Sequence, residues 1–405
     1  MSNLQNKRVL LGITGGIAAY KSADLVRRLK DQGADVRVVM TSGAQSFVTP
    51  LTFQAVSGNR VHTDLLNPNA EAGMGHIELA RWTDVVLIAP ASANFIARLS
   101  HGMADDLLTA ICLATVAPLA IAPAMNQQMW QASATKENCQ KLAERDVLQF
   151  GPGSGEQACG DIGLGRMLEP LEIVESLSGV FQTRELQGLK VLITAGPTRE
   201  AMDPVRYITN HSSGKMGYAV AQAAVEAGAE VTLVSGPVAI QAPSGVTKLD
   251  IVSAKDLSDV VMQEVETHDI FISAAAVADY YCPAIADQKI KKSGDEMTLI
   301  LKKTQDVLAD VAALTKPPFT VGFAAETEKL AEHAKVKLKR KSLNMIAANR
   351  VDDPELGFHS DDNALHVFWQ GGEQELSRNS KQKLASELIT LVAHRYKLKI
   401  DNNNE

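Results

Sequence analysis

The sequence predicts an α/β protein with two tandem, doubly wound parallel-sheet domains, and three observations support this fold class. Short apolar runs rich in β-branched residues occur at residues 7–16 and 190–196, and each ends with Thr and Gly. An Ala-rich helical pattern and a second apolar run follow in both places. Strands that alternate with helices in this way form parallel βαβ units, as in Rossmann-like folds. The length of 405 residues fits two or three domains.

The remaining elements follow in order along each half. Gly33 and Gly228 stand where a helix ends and the next strand begins. A polar stretch at 181–189 separates the halves, so we predict a first domain at residues 1–185 and a second at 190–405. The predicted second, third and fourth strands lie at 32–40, 84–90 and 118–123 in the first half, and at 227–235, 269–275 and 319–325 in the second.

Composition excludes several classes of function. Lys plus Arg number 40 against 47 Asp plus Glu, and this net charge of −7 argues against nucleic acid as a partner. No basic and apolar leader opens the sequence, and no apolar run approaches 18 residues. We therefore expect a cytoplasmic globular protein without a membrane partner. The four cysteines form no close pair, which excludes a zinc ribbon and a disulfide framework.

Two loops at predicted strand ends indicate ligand sites. The pair Gly15-Gly16 stands between a strand and a helix N-terminus, where a phosphate site and a plain tight turn are about equally supported. The missing GxGxxG and the missing acid after the second strand argue against a dinucleotide, and no Gly-Lys-Ser/Thr of a P-loop is present. A mononucleotide such as FMN fits better. In the second half an enlarged loop at 197–217 directly follows the first strand and is expected to be functional.

Two further residues stand out by their surroundings. His76 is flanked by glycines at the start of a short helix, where a structural and a functional role are equally supported. Cys159 lies in 151–167, whose six glycines and one proline are expected to exclude regular structure, so it is interpreted as a lid residue. Cys112 and Cys139 lie in helical patterns and are interpreted as buried, inert side chains.

The motifs taken together resemble two known enzyme families. GGIAAYK, PASANFIAR, GMADDL, PAMNQQMW and the ACGD loop resemble flavin-dependent cysteine decarboxylases. ITAGPTRE, DPVRYITNHSSGKMG, AAAVADY and KIKK resemble phosphopantothenate–cysteine ligases. In this order they resemble the bacterial bifunctional decarboxylase–ligase family of coenzyme A biosynthesis. The resemblance extends from about Lys7 to Trp369, nearly the whole chain.

The resemblance implies an FMN-dependent phosphopantothenoylcysteine decarboxylase in the first half. His76 matches the active-site histidine, Asn126 the group that binds the substrate carboxylate, and Cys159 the proton donor. Hydride transfer to and from the flavin would allow the carboxylate to leave with no net redox change. The residues implied to bind FMN are Gly15, Gly16, Ile17, Ser42, Ser92, Met103, Ala104, Asp105 and Asp106.

In the second half the resemblance implies a CTP-dependent ligase. Asn210 matches an oxyanion-type amide, and Lys289 matches the lysine of the triphosphate and of acyl transfer. Residues 303–306 read Lys-Thr-Gln-Asp where the family commonly has Lys-Asn-Pro-Asp, so the resemblance supports no nucleotide contact from Thr304 or Gln305. The residues implied to bind CTP are Ser273, Ala274, Ala275, Asp279, Lys289, Asp306, Val307, Phe323, Lys337 and Lys341.

The implied reaction joins 4'-phosphopantothenate to cysteine through an acyl-cytidylate and then decarboxylates the product to 4'-phosphopantetheine. Mg²⁺ is expected only because the substrate is a triphosphate, and the sequence shows no ligand cluster for it. The resemblance further implies a homo-oligomer, with trimers of the flavin half and dimers of the ligase half in a dodecamer. The alternatives are another flavin protein (a peptidyl-cysteine decarboxylase or a flavin prenyltransferase), a non-catalytic regulatory subunit and a dinucleotide-dependent dehydrogenase.

Overall fold

The computed structural model describes residues 4–65, 75–158, 160–291, 297–326, 328–350 and 360–404. The chain divides into two compact units, Met1–Phe181 and Gln182–Glu405. Each unit contains its own open β-sheet with helices on both faces. Among the described helices, none is both long and apolar enough to span a membrane.

The first unit is built on a parallel sheet whose described strands have the order β3-β2-β1-β4-β5-β6. Its strands are β1 Arg8–Ile13, β2 Asp35–Met40, β3 Val61–His62, β4 Val85–Ala91, β5 Leu119–Pro123 and β6 Leu148–Gln149, with β7 Gly153–Glu156 and β8 Ile162–Arg166 forming a separate hairpin. Its helices are α1 Lys21–Asp31, α2 Ser42–Gln45, α3 Pro50–Ser57, α4 Gly75–Trp82, α5 Ala93–Ser100, α6 Leu107–Ala114, α7 Gln127–Gln131, α8 Ser133–Ala143 and α9 Pro170–Gly179, and a short 3-10 helix spans Ile17–Tyr20.

Burial along β1 shows why this sheet is covered on both faces. Val9 and Leu11 pack into one hydrophobic cluster, together with residues of α1 and α9 such as Leu25 and Ile173. Leu10, between them, packs into a second cluster with residues of α5 and α6. Successive side chains of a strand point to opposite faces, so an uninterrupted apolar run needs helices on both sides.

The second unit is built on a sheet with the order β13-β12-β9-β14-β17-β18-β19-β20. The strands from β13 to β18 run parallel, whereas β18, β19 and β20 pair antiparallel. Its strands are β9 Lys190–Ala195, β10 Arg199–Ala201, β11 Tyr207–Thr209, β12 Glu230–Ser235, β13 Val246–Asp250, β14 Ile270–Ser273, β15 Tyr280–Tyr281, β16 Lys302–Lys303, β17 Phe319–Glu326, β18 Met345–Arg350, β19 Asp362–Trp369 and β20 Gly372–Ser380. Its helices are α10 Lys215–Glu226, α11 Ala254–Glu264, α12 Val307–Ala312, α13 Leu330–Arg340 and α14 Lys381–Asn404, and a 3-10 helix spans Val265–Thr267.

The fold class is confirmed, and all eight predicted strands are present within a few residues of their predicted limits. One prediction is wrong: residues 151–167 contain regular structure, because β7 pairs antiparallel with β8. Glycine makes this hairpin possible. Gly165 has φ +140, and a Cβ there would collide with the carbonyl oxygen of Met125, so the hairpin packs against that loop through bare backbone. The enlarged loop of the second unit likewise forms a hairpin, β10–β11.

Candidate functional site

A cavity of about 1120 Å³ lies in the first unit, at the carboxyl ends of β1, β2, β4 and β5. This is the position where open α/β sheets bind ligands. Small-molecule pockets are typically about 300–1000 Å³, so the cavity has room for a mononucleotide and a second small molecule. Its walls contain six of the nine residues predicted to bind FMN: Gly15, Gly16, Ile17, Ser42, Ser92 and Asp106.

The turn after β1 shows why glycines stand here. A Cβ on Gly15 would lie 3.0 Å from the backbone of Gly43, so a side chain there would require one of the two loops to shift by a few tenths of an ångström. A Cβ on Gly16 would meet nothing within 4 Å. The backbone of Gly16 therefore faces open space in the cavity wall, which leaves room for a ligand to approach the peptide groups closely.

Helix starts supply polar groups to the same cavity. Ser92 is the N-cap of α5, and its hydroxyl accepts a hydrogen bond from the N–H of Phe95 at 3.3 Å. Ser92 is fixed in turn by Thr14, whose hydroxyl accepts the N–H of Ser92 at 2.9 Å and donates to the carbonyl of Pro90 at 2.7 Å. N–H groups at a helix start and the helix dipole favour a phosphate, so these residues fit the phosphate end of FMN.

Arg98 is a wall residue that the sequence analysis missed. Its guanidinium forms ion pairs with Asp105 and with Asp106, the latter at 2.9 Å. The hydrogen bond from Arg98 lowers the pKa of Asp105 below its ordinary value. Asp106 also caps α6 by accepting the N–H of Thr109 at 2.8 Å. The predicted residues Met103, Ala104 and Asp105 do not line the cavity. In this stretch Asp106 is the lining residue, and Asp105 acts indirectly through its ion pair with Arg98. Arg98 is the last residue of the quoted motif PASANFIAR, and this motif was the sequence signal that could have identified it.

Asn126 lies in the cavity wall, where its side chain connects the β5–α7 loop to the β7–β8 hairpin. Its Nδ2 donates to Oδ2 of Asp161 at 2.9 Å, and its Oδ1 accepts the N–H of Gln128 at 2.8 Å. On the other arm of the hairpin, Oε1 of Gln157 accepts the N–H of Gln127 at 3.0 Å. The hairpin is thus fastened over the carboxyl end of β5. Sequence reasoning missed Gln157 and Asp161, although Asp161 is the last residue of the quoted ACGD motif and Gln157 directly precedes the motif.

Cys159 lies outside the described residues, whereas residues directly before and after it are described. Glu156, Gln157 and Ala158 line the cavity, and the N–H of Gln157 donates to the carbonyl of Asp161 at 2.8 Å. The described part of the hairpin therefore forms part of the cavity wall, and the interpretation of Cys159 as a lid residue stays a prediction. Cys112 and Cys139 are buried in α6 and α8, and burial raises the pKa of Cys112 to about 12.

His76 is not brought to the cavity within one chain. It is the second residue of α4 and half-buried, and it is not among the residues lining the cavity. Its Nδ1 is buried and has no hydrogen-bond partner among the residues the structure describes. A buried ring nitrogen without a partner is costly and unusual, and requires an explanation.

In the second unit, the segment after β14 is fixed by hydrogen bonds from three directions. The N–H of Ala274 donates to the carbonyl of Thr194 at 3.1 Å, and the N–H of Ala278 donates to the hydroxyl of Thr198 at 3.0 Å. Thr304 donates its hydroxyl to the carbonyl of Ala278 at 2.7 Å and its N–H to the carbonyl of Asp279 at 2.9 Å. The predicted nucleotide residues Ser273, Ala274, Ala275 and Asp279 therefore lie on one immobilised segment.

Asn210 directly follows β11 and contacts this same segment. Its Nδ2 donates to the carbonyl of Ala276 at 3.0 Å and to the carbonyl of Val277 at 3.1 Å. Both carbonyls belong to the segment after β14, so Asn210 and the predicted nucleotide residues are brought together. The same bonds engage the amide N–H groups that an oxyanion would need.

The predicted lysines differ in their partners. Lys289 is exposed, and no carboxylate of the described residues forms an ion pair with it. Lys337 pairs with Glu326 at 2.7 Å, and Lys341 pairs with Asp306 at 2.8 Å. Burial acts to raise the pKa of both carboxyls, but the hydrogen bond and charge of the paired lysine outweigh it and hold each pKa below its ordinary value.

The remaining predicted nucleotide residues have structural contacts. Asp306 caps α12 by accepting the N–H of Ala309 at 3.2 Å, and Val307, the first residue of that helix, is buried in the core. Phe323 is half-buried on β17 and packs against the core on the other face of the sheet. Within the described ranges, no group of three or more His, Cys, Asp or Glu side chains could hold a metal ion.

Comparisons with known proteins agree with this division into two units. Residues 1–182 match the flavoprotein family, and residues 186–396 match the family described as DNA/pantothenate metabolism flavoprotein C-terminal domain. The chain is 57% identical over 395 residues to the coenzyme A biosynthesis bifunctional protein CoaBC of Vibrio cholerae, covering 97% of this chain and 99% of that protein. The CoaBC protein of Escherichia coli is 53% identical over 399 residues, with 97% and 98% covered. A crystal structure of the C-terminal domain of a CoaBC protein aligns with a TM-score of 0.46 and 38% identity, covering 53% of this chain and 99% of that one.

Proposed function

The chain belongs to the family of bifunctional coenzyme A biosynthesis proteins, and on this premise we propose that it carries out two consecutive reactions. The second unit joins 4'-phosphopantothenate to cysteine at the expense of CTP, and the first unit decarboxylates the product to 4'-phosphopantetheine. The observation that supports the decarboxylase most directly is the cavity that combines an open glycine turn, capped helix starts and a covering hairpin.

In the first unit, Gly15, Gly16, Ser42 and Ser92 would hold FMN, because they offer backbone N–H groups and hydroxyls beside a gap that a Cβ would fill. FMN, when bound, supplies the acceptor and later the donor of a hydride. Arg98 places a cation in the wall that is already balanced by two carboxylates.

The β5–α7 loop and the β7–β8 hairpin would provide the residues that bind and protonate the substrate. Asn126 would bind the substrate carboxylate by turning its Nδ2 from Asp161 to the incoming oxygen. The bond to Asp161 and the bond to the substrate are both hydrogen bonds to a carboxylate, so Nδ2 exchanges one acceptor for another of the same kind. Cys159, which lies outside the described residues, would deliver the proton that completes the product; its sequence neighbours Gln157 and Ala158 line the cavity.

His76 would complete this site from a neighbouring copy of the chain. It is off the cavity wall of its own chain, and its buried Nδ1 has no partner among the described residues. A homo-oligomer explains both observations, and the dodecamer of trimers and dimers remains our proposal for its size. The cytoplasm remains our expectation for its location.

In the second unit we propose that Lys289 contacts the triphosphate during formation of the acyl-cytidylate. Its ammonium is exposed and is paired with no carboxylate of the described residues, and an ammonium is a compact donor for phosphate oxygens. Lys337 and Lys341 would also bind the nucleotide, after exchanging Glu326 and Asp306 for phosphate. Mg²⁺ would accompany CTP, as divalent cations do with triphosphates.

Asn210 is proposed to serve the second step, in which the cysteine amine attacks the acyl-cytidylate and an oxyanion forms. Donation to that oxyanion requires the release of one of the two hydrogen bonds from Nδ2 to the carbonyls of Ala276 and Val277. Loss of such a donor typically costs about 100- to 1000-fold in rate.

Separate assays test the two reactions. The purified protein should absorb at flavin wavelengths and release FMN on heating. With 4'-phosphopantothenate and cysteine, CTP should support pyrophosphate release better than the other nucleoside triphosphates. When cysteine is omitted, mass spectrometry of the quenched mixture should show the acyl-cytidylate. A colourless protein or indifference to the choice of nucleotide would contradict the corresponding half of the proposal.

Two variants separate the roles within the ligase. Lys289→Gln should block formation of the acyl-cytidylate almost completely and leave only a small residual rate, whereas Asn210→Asp should form it and let it accumulate in the presence of cysteine. Lys255→Gln is a matched control, because Lys255 is an exposed lysine of the same unit whose partner is the helix residue Asp259. The opposite result for the first two variants would reverse the two assignments.

A further inference from the structure

The turn of the β10–β11 hairpin is organised around one buried carboxylate. The side chain of Asp203 has no exposed surface. Its Oδ1 accepts the N–H groups of Val205 and Arg206, both at 2.8 Å. Its Oδ2 accepts Nη2 of Arg206 at 2.6 Å and the N–H of Ile290 at 3.1 Å. A buried carboxylate with this many donors is charged and firmly held.

The contact with Ile290 is two-sided. Asp203 accepts the N–H of Ile290, and Nη2 of Arg206 donates to the carbonyl of the same residue at 2.8 Å. Nearby, the N–H of Ala286 donates to the carbonyl of Met202 at 3.0 Å. The segment 286–290 is therefore bound to the hairpin turn through its backbone, and both peptide groups that flank Ile290 are fixed.

Lys289 forms one of these two peptide groups, and its own side chain has no described ion-pair partner. A lysine side chain is flexible, so the reach of its ammonium depends on where the backbone holds its Cα. Arg206 neutralises Asp203, so the buried carboxylate does not attract the ammonium away from an anion. The same hairpin carries Asn210 directly after β11.

We propose that Asp203 is a positioning residue for the ligase reaction: its carboxylate, with Arg206, clamps the backbone of Ile290 and thereby fixes Lys289 relative to Asn210. The proposal rests on the proposed function of Lys289 at the triphosphate. One hairpin then sets the positions of both residues, since one end of it holds Ile290 and the other leads into Asn210. The buried, ion-paired carboxylate of Asp203 then positions a reacting group as well as stabilising the turn.

The central test is Asp203→Asn, which keeps the size of the side chain and places an amide where Oδ2 stands. That amide would present a donor to the N–H of Ile290 and to the guanidinium of Arg206, so the clamp opens. We expect pyrophosphate release from CTP and 4'-phosphopantothenate, without cysteine, to slow about 100-fold, as for a misplaced reacting group. The Ile290 amide should exchange its hydrogen faster than in the unaltered protein. Asp259→Asn, the same change at a surface ion pair of this unit, should alter neither quantity.

A double variant separates positioning from general structural damage. If Asp203 acts through Lys289, adding Asp203→Asn to Lys289→Gln should slow the residual reaction by no more than about threefold, because the two losses are not independent. A further loss as large as that of Asp203→Asn alone would overturn the proposal. Unaltered exchange at Ile290, or an unaltered rate in Asp203→Asn, would overturn it as well.

Arg206→Lys covers the case in which Asp203→Asn fails to fold. Lysine keeps the charge but has no counterpart of Nε, which donates to Oδ2 of Asp203 at 3.0 Å, and its ammonium lacks the planar guanidinium that places Nη2 between Asp203 and the carbonyl of Ile290. An intermediate slowing of pyrophosphate release with faster exchange at Ile290 supports the clamp, and no change in either overturns it. If the unaltered protein releases no pyrophosphate from CTP, the proposed function fails. The exchange at Ile290 then decides separately whether the clamp exists.

Discussion

Nζ of Lys337 lies 2.7 Å from Oε1 of Glu326, so a lysine predicted to bind the nucleotide is paired within its own chain. Glu326 ends β17 and Lys337 lies in α13. Oε2 of Glu326 also lies 3.2 Å from Nδ1 of His333. A nucleotide that uses Lys337 must therefore first displace a carboxylate.

Removal of that carboxylate charge should strengthen nucleotide binding. Glu326→Gln releases Lys337 from an ion pair, and such pairs are worth up to about 1 kcal/mol. The KM for CTP should fall about two- to fivefold, as measured by pyrophosphate release against CTP concentration. Glu373→Gln is the matched control, because Glu373 pairs at 2.8 Å with Lys335 of the same helix. An equal fall in both variants would mean that net charge, rather than Lys337, is responsible.

The same ion pair predicts a pH dependence of stability. Burial acts to raise the pKa of Glu326, but Lys337 and His333 outweigh it and the pKa is lowered. A lowered carboxyl pKa stabilises the fold above the ordinary value of about 4.3, and this contribution is lost as the pH falls through the folded-state pKa. Glu326→Gln should therefore lower the free energy of unfolding at pH 7, and the difference should shrink at lower pH. Urea unfolding of both proteins at pH 7 and at a pH below about 4.3 measures this difference. A difference in unfolding free energy that grows on acidification would contradict the prediction.

Thr304 is predicted to hold the segment after β14 rather than the nucleotide. Thr304→Val keeps the shape but removes the hydroxyl that donates to the carbonyl of Ala278 at 2.7 Å. We expect a loss of about 1 kcal/mol in unfolding free energy, since a carbonyl loses its partner, and a higher KM for CTP. Thr267→Val removes a hydroxyl that donates to the carbonyl of Glu264 at an exposed site. That control should leave the KM unchanged, and an equal rise in both variants would refute the assignment.

A pair of glycine substitutions tests the flavin cavity. Gly16→Ala adds a methyl group that, apart from its two chain neighbours, meets no atom of the described residues within 4 Å, so the fold should be retained while the cavity wall is filled. We expect FMN to bind at least tenfold more weakly, an order-of-magnitude estimate for losing a close backbone approach. Gly15→Ala instead meets the backbone of Gly43 at 3.0 Å and should also lower the unfolding temperature. Titration of the apoprotein with FMN and thermal unfolding distinguish the two, and normal FMN affinity in Gly16→Ala would show that the ligand lies elsewhere.

His76→Asn should retain FMN, because His76 does not line the cavity of its own chain. It should lose carbon dioxide release, because we propose that His76 takes part in the decarboxylation. A mixture of this variant with one altered at Asn126 tests the role of a neighbouring copy. If copies exchange and His76 acts across them, mixed oligomers should regain part of the activity that each variant lacks. Near-normal carbon dioxide release by flavin-loaded His76→Asn would remove His76 from the reaction.

The sequence by itself determined the elements that depend on local pattern. Apolar, β-branched runs identified the buried parallel strands, because a strand covered on both faces must be apolar at successive positions. The glycine pair at Gly15 and Gly16 identified the turn that forms the cavity wall, and the start of α4 at Gly75 was also foreseen. Sequence motifs identified the family, and with it the residues that we propose to bind FMN and the nucleotide.

The tertiary structure alone decided which residues meet across the chain. Asp203 and Ile290 are 87 positions apart, Lys341 and Asp306 are 35 apart, and no periodic pattern marks either pair. The antiparallel β7–β8 hairpin was hidden because its glycines carry no side-chain pattern, and its Gly165 packs against the carbonyl of Met125 through bare backbone. Local propensity fixes where strands and helices form. Partners of polar side chains depend on how those elements pack, since a buried charge must find its donors wherever the fold brings them.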